Sequence, residues 1–440
     1  MERGSLDKFV AARRRADLTH GPEGAPTRAE GGGPRYPEFD ALRGTAILLV
    51  VTLHAALAYT RLDIPRLLWG VREPSGHSGF DLFSWWAMGV SVPLFFAISG
   101  FFAALVESGR GPRAFLEGRV RRIVIPALVA APVILPPCFL AWSLGWLVTN
   151  RCNFNEFRRM VFLDPEIMDE LYGPAHLWFL EYLIPMLLAF GALRAARAAR
   201  GDEAGARPGP SPRLAWWGPI ALAAPTAVLI ALARGLGMGD LPLDRHNSFI
   251  PDAARLLHYA TFFGFGVALF RARGSLDALG RGAWWYFLAS VPVFALKARL
   301  LPLDWSGRLG EAGTSALVAS GALGSWLTLF GMIGLARRYL SRPSRAARYL
   351  AGASFWVYLV HLPVVGLIQA DLVGFGWPTL AKFALTLSLT LALALASYEV
   401  LVRRTALGRL LEGGGRKPEA AEVVPSRPHP RPAPKPGRPA

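Results

Sequence analysis

Charge, acid and cysteine are all scarce in this sequence. Only 18% of its 440 residues are charged, where a soluble globular chain carries about a quarter. An ordinary water-exposed exterior is therefore not expected. Acidic residues number 31 against 48 Lys and Arg, for a net charge of +17. Cys138 and Cys152 are the only cysteines, and Cys138 falls in an apolar run. Neither a disulfide framework nor a zinc site is expected, and no other metal set is read. No repeat of about 20–50 residues is visible, which argues against a solenoid. The basic residues do not form a stripe on one soluble face, so nucleic acid is not an expected partner.

What the chain has instead is apolar length. Hydrophobic residues make up 52% of it. They gather in runs at about 42–60, 84–106, 123–149, 176–195, 214–236, 253–271, 283–301, 314–336, 350–373 and 379–402. Each is close to the roughly 20 residues that cross a bilayer as a helix. The reading is an all-α, polytopic bundle of about ten transmembrane helices, with the seventh run weakest because Lys297 and Arg299 lie near its end. Residues 1–34 and 412–440 are rich in Pro, Arg and other polar residues and lack periodicity, so both read as disordered tails flanking a membrane unit at 35–405. Ala56-Leu57-Ala58 looks like a signal-peptidase site. The tail before it is too long and too mixed in charge for a signal peptide, and no cleavage is expected.

Positive charge then sets orientation. With the N-terminus inside, the inner loops carry clusters such as Arg110, Arg113, Arg119, Arg121 and Arg122, or Arg337, Arg338, Arg342, Arg345 and Arg348. The outer loops carry fewer basic residues and hold acids such as Asp164, Glu166, Asp169 and Glu170. An even number of spans keeps both basic tails inside. The location expected is a bacterial inner membrane, with both termini cytoplasmic.

Ionisable side chains within spans are costly and are candidates for function. In the first span, Asp40 precedes Arg43, and His54 follows Arg43 by eleven residues. Eleven residues are close to three helical turns and a rise of roughly 16 Å. Arg43 and His54 therefore share a face, with Arg43 at the inner mouth and His54 near mid-depth. Asp40 lies at i−3 from Arg43 and can pair with it. The plainer reading makes His54 a packing residue and Arg43 a topology anchor. Ser99-Gly100 closes the second span and permits close approach of a helix or a ligand. Arg119 and Arg122 share a helical face and suit either a polyphosphate or anionic lipid. The fourth span opens with His176, Trp178 and Glu181 at its outer end, and the ninth holds His361 near mid-depth. His258 is a further candidate. His20, His77, His246 and His429 fall in tails or loops and are set aside.

Six segments occur in order: Asp-x-Leu-Arg-Gly, Arg-x10-His, Phe-Phe-x-x-Ser-Gly-Phe, Arg-x-x-Arg-Ile-x-x-Pro, His-Leu-Trp-Phe-Leu and Tyr-Leu-x-His. Over roughly residues 36–404 the chain thereby resembles the membrane acyltransferase-3 family, most of all its glucan-decorating branch. The resemblance implies about ten spans and transfer of an acetyl- or succinyl-type group. The donor would be cytoplasmic acyl-CoA, used as a substrate with no resident cofactor, and the acceptor a hydroxyl of a carbohydrate or glycan. Arg43 and His54 match the family's Arg-x10-His pair, Arg119 and Arg122 its basic pair, and His361 its late histidine. Phe355-Trp356 departs from the Ser-Tyr-type pair of many members. No fused esterase-like domain is expected after the tenth span, so spans and outer loops must hold the acceptor. On this reading His54 is a general base, or carries the acyl group covalently, with Arg43 and Asp40 positioning it or the donor. Ser99, Gly100, Arg119 and Arg122 lie on the donor side, and His176, Trp178, Glu181 and His361 on the acceptor side. Lys297 and Arg299 are candidates to meet a succinyl charge. The competing class is a secondary transporter with the histidines as proton relays, and a third is a scaffold presenting its Pro-rich tail.

Overall fold

The computed structural model describes residues 27–28, 34–65, 67, 69–163, 173–201, 217–237, 248–405 and 408. Nearly all of the two expected tails, and the acids Asp164, Glu166, Asp169 and Glu170, lie outside the described residues. Thr27–Arg28 pairs with Pro34–Arg35 in a two-residue antiparallel ladder; everything else regular among the described residues is helical. Ten helices are long and apolar enough to cross a membrane. They are α1 (Pro37–Leu57), α2 (Ser78–Arg110), α3 (Pro112–Val148), α4 (Ala175–Ala199), α5 (Gly218–Gly235), α6 (Ala253–Arg271), α7 (Arg273–Trp305), α8 (Glu311–Tyr339), α9 (Arg345–Leu372) and α10 (Thr379–Val402). A short helix, Phe154–Leu163, follows α3. The chain is an all-α, multi-pass membrane protein.

Helix starts follow local chemistry. Pro37 and Pro112 each open a helix where a missing N–H costs nothing. Asp252 caps α6 by accepting the N–H groups of Ala254 and Arg255. Internal prolines are met from neighbouring helices. Pro93 of α2 cannot donate to the carbonyl of Gly89, and the Ser325 hydroxyl of α8 donates to it instead at 2.7 Å.

Burial separates a centre from a rim. In α8, 72% of the apolar window is buried and in α2 67%, against 17% in α3 and α7. The rim helices turn residues such as Leu128, Val133, Trp285 and Leu393 outward, where lipid can cover them. α7 holds its place despite two basic residues because Lys297 is buried beside Gly89 of α2 and Gly321 of α8. Arg299 is exposed on the same helix.

Lipid is as apolar as the spans, so close packing and polar contacts hold them together. A Cβ on Gly100 would collide with the Phe263 carbonyl, and one on Gly266 with the Ala97 carbonyl. α2 and α6 thus meet backbone to backbone and run parallel. At one end of the bundle Arg337 joins Glu38 at 3.0 Å and Asp277 at 2.8 Å, tying α1, α7 and α8. At the other end residues 58–65 and 69–77 fold back over α1. The Glu73 N–H donates to the Ala58 carbonyl (2.8 Å) and the His77 N–H to that of Tyr59 (3.0 Å). Asp81 accepts from the backbone N–H groups of Arg61 and Leu62. Glu73 is pinned to Lys382 of α10 by a buried ion pair at 2.8 Å.

Candidate active site

A continuous cavity of about 1080 Å³ lies among the described helices. That is at the upper end of the roughly 300–1,000 Å³ typical of small-molecule sites. Arg43, Arg110, Arg119 and Arg122 line one part of it; His54, Trp69 and His176 line a second; Trp178, Tyr182, Tyr259 and Arg255 line a third.

His54 projects from the last turn of α1, which ends at Leu57. The helix starts five residues earlier than the apolar run suggests, so His54 stands nearer its end than its middle. Two neighbours fix the imidazole. Trp69, carried by the folded-back segment, lies parallel to it, with ring centres 5.7 Å apart and planes 5° from parallel. His361 of α9 meets it in an N–N contact of 2.9 Å, from His54 Nδ1 to His361 Nε2. The tautomers follow from the partners. His361 Nδ1 lies 3.0 Å from the Val357 carbonyl and 2.8 Å from that of Tyr358. Both are acceptors, so Nδ1 carries the His361 proton and Nε2 is an acceptor. His54 then donates from Nδ1, and the lone pair of its neutral ring resides on Nε2. Gln369 braces the same region. Its oxygen accepts from the Trp69 indole N–H at 2.8 Å, and its nitrogen donates to the Ala55 carbonyl at 3.0 Å. Arg151, outside the spans, donates to the Trp69 carbonyl at 3.2 Å. Burial, and after it the nearby charge of Arg72, lowers its pKa.

His176 is set by a proline effect. Pro363 leaves the Leu359 carbonyl without its helical donor, and His176 Nε2 takes it at 3.0 Å. Tyr358 donates its hydroxyl to the His176 carbonyl at 2.8 Å. Cys138 Sγ lies 4.0 Å from His176 Nδ1, and the His176 ring packs 5.2 Å from that of His361. Ala175, immediately before, takes φ 48°, a left-handed conformation that costs a non-glycine residue roughly 1–2 kcal/mol. Three histidines therefore cluster where the sequence put two on the acceptor side and one at the centre. Among the described residues they do not gather as a metal-ligand set.

Arg43 reaches across to α9. Its Nε donates to Ser354 Oγ at 3.1 Å and its terminal nitrogen to the Ala351 carbonyl. Asp40 acts on it electrostatically but is not among the lining residues. Arg119 packs over the Phe115 ring, 5.0 Å from its centre. The chain widens to a π-helical turn at Val120–Val124, and both Arg119 and Arg122 line the cavity. Such turns are rare and frequent at functional sites. Arg110 joins them from the end of α2. The acid nearest to it in that helix, Glu107, is already paired with Arg194 at 2.9 Å. This end is strongly positive.

Other expected residues are placed differently. Ser99 lines the cavity, whereas Gly100 serves the contact with α6. Trp178 lines the third part. Glu181 does not line it; its carboxylate oxygens are buried with no hydrogen-bond partner among the described residues. His258 is buried behind the wall. The residues sequence reasoning missed are Trp69, Gln369, Arg110, Arg255 and Ser91. No local pattern marks these five; Pro363 and Pro93 signal only that the Leu359 and Gly89 carbonyls need outside donors, which His176 and Ser325 supply.

A family model described as an acyltransferase domain matches residues 36–399. Glucans biosynthesis protein C of Salmonella schwarzengrund is 24% identical over 400 residues, covering 86% of this chain and 95% of that protein. The proteins of the same name from Salmonella paratyphi A and Salmonella enteritidis PT4 are also 24% identical, with the same shares covered. No solved structure matches the chain.

Proposed function

Since the chain belongs to the acyltransferase family whose model spans residues 36–399, we propose that it moves an acyl group from acyl-CoA to a hydroxyl of an envelope glycan, with His54 as general base. The observation that carries this reading is the 2.9 Å contact between His54 and His361 at the wall of a cavity whose other end is rich in arginine. The name of the relatives, glucans biosynthesis protein C, supports a glucan-like acceptor.

The arginine end suits the donor. Arg110, Arg119 and Arg122 offer charge-assisted donors to the phosphates of CoA, and Arg43 stands between them and the histidines. His54 Nε2 removes the proton of the acceptor hydroxyl as its oxygen attacks the thioester carbonyl carbon. The tetrahedral intermediate collapses, the C–S bond breaks, and the proton passes from His54 to the departing thiolate. The products are an ester and free CoA. His361, locked by two backbone carbonyls, holds His54 in the required tautomer and stabilises the imidazolium that forms. The loops that flank the arginine end carry most of the Lys and Arg, which supports a cytoplasmic donor, cytoplasmic termini and an inner-membrane location.

His54→Ala, produced at wild-type membrane abundance, is expected to lose acyl transfer by about 10²–10⁴-fold. Acylation at near wild-type rate would overturn the assignment.

A further inference from the structure

The part of the cavity farthest from the arginine cluster has the chemistry of a sugar site, and we infer that Ser91, Trp178, Tyr259 and Arg255 form the subsite for the acceptor ring. The inference rests on the acyl-transfer reading for its context, but its residues are separate from the histidines and the donor arginines.

Ser91 is the first observation. It is fully buried, it lines the cavity, and its hydroxyl finds no hydrogen-bond partner among the described residues. A serine within a helix ordinarily returns its proton to a carbonyl of the preceding turn; this one does not. Leaving a buried hydroxyl unsatisfied is costly, and a ligand hydroxyl in the cavity would relieve it.

Arg255 is the second. α2 and α6 run parallel, with Phe96 stacked on Tyr259 at 4.8 Å. Ser91 comes five residues before Phe96 and Arg255 four before Tyr259, roughly 6–8 Å back along each helix. Arg255 is buried and lines the cavity, while its Nη1 is held by Asp252 at 3.0 Å. Asp252 is itself fixed, since it caps α6 and gives its own N–H to the Tyr182 hydroxyl at 2.9 Å. The ion pair offsets part of the arginine's charge, and a cation balanced in this way suits the hydroxyls of a neutral sugar better than a carboxylate.

The rings are the third. Trp178 and Tyr259 lie 5.6 Å apart, and Tyr182 lies within 6.0 Å of both. Rigid aromatic walls with polar edges accept the C–H faces of a pyranose while hydrogen-bonding groups take its hydroxyls. Glu181, which the sequence suggested for this role, is buried away from the lining.

The test uses the full chain in lipid nanodiscs and a neutral glucose tetrasaccharide as probe. Calorimetric titration should show saturable binding to the wild type and to His54→Ala alike. Ser91→Ala should weaken binding about 3- to 10-fold and Arg255→Lys about 10- to 100-fold, as loss of a neutral and a charge-assisted hydrogen bond respectively implies. Arg255→Lys keeps a cation beside Asp252, so folding is preserved, and Ser91→Ala serves as an independent second variant. In the transfer assay both changes should raise the KM for the tetrasaccharide and leave that for acyl-CoA unchanged. Wild-type protein that does not bind the probe overturns the inference, as do variants that bind it normally. So does an Arg255→Lys variant whose defect lies in discrimination between acetyl-CoA and succinyl-CoA. Binding as described, with no transfer from either donor, would instead sink the reaction and leave the subsite standing.

Discussion

His361 shows how far a single residue's role depends on contacts that no local pattern reveals. The sequence marks it as a mid-depth histidine on the acceptor side; the fold makes it the partner of His54, 307 positions away in the chain. Its role is to position, so its loss should act on His54 and not on substrate binding. His361→Gln, which can still accept a hydrogen bond from His54, should retain more activity than His361→Leu. Both should lower kcat with little change in KM for acyl-CoA, and the apparent pKa of the kcat profile should shift in the leucine variant. A defect confined to KM would assign His361 to the acceptor instead. Spacing could put Arg43 with His54 on one helical face and Arg119 with Arg122 on another, because helix rise is known, and all four line the cavity. Trp69 and Gln369 were not, because one sits in a loop and the other is an ordinary polar residue until the fold brings them together at 2.8 Å.

At the level of helices, the apolar runs forecast all ten spans, because lipid demands length and apolarity and both can be read directly; most ends fall within about six residues, while α3 and α7 begin about ten residues earlier than their runs. The π-helical turn at Val120–Val124 and the parallel seam between α2 and α6 could not be read so simply. Ser99-Gly100 looked like a ligand approach as much as a packing seam; the fold gives the serine to the cavity and the glycine to the seam. Gly100→Val should therefore lower the amount of folded protein in the membrane, since the Phe263 carbonyl cannot retreat without parting the helices. Detergent-extracted protein should melt earlier in a thermal-shift assay, whereas a Ser99→Ala control should melt as the wild type does. The strap over His54 is held in a comparable way. Glu73→Gln would strip the buried Lys382 of its counter-charge, and breaking such a pair costs about 3–5 kcal/mol. Glu73→Gln with Lys382→Met should recover most of the lost thermal stability. A double variant no better than the single would contradict that pairing.

For the whole molecule, membership of an acyltransferase family decides between the enzyme and the proton-relay transporter that the same intramembrane histidines suggested. What the fold adds is one cavity lined by Arg43, Arg110, Arg119 and Arg122, by His54, and by the Trp178 and Tyr259 rings, which the proposed reaction orders as an axis from donor to acceptor. Reporter fusions should place the loop at residues 373–378 outside and that at 340–344 inside, as the distribution of Lys and Arg requires. The central claim is transfer along that axis through His54. The most direct measurement uses proteoliposomes with the chain in one orientation, labelled acyl-CoA added to one compartment and a glucose tetrasaccharide to the other. Labelled ester should form in the sugar compartment only when the donor faces the arginine end, and His54→Ala should form none. Ester formed only when both substrates share a compartment, or formed equally by His54→Ala, would contradict the account.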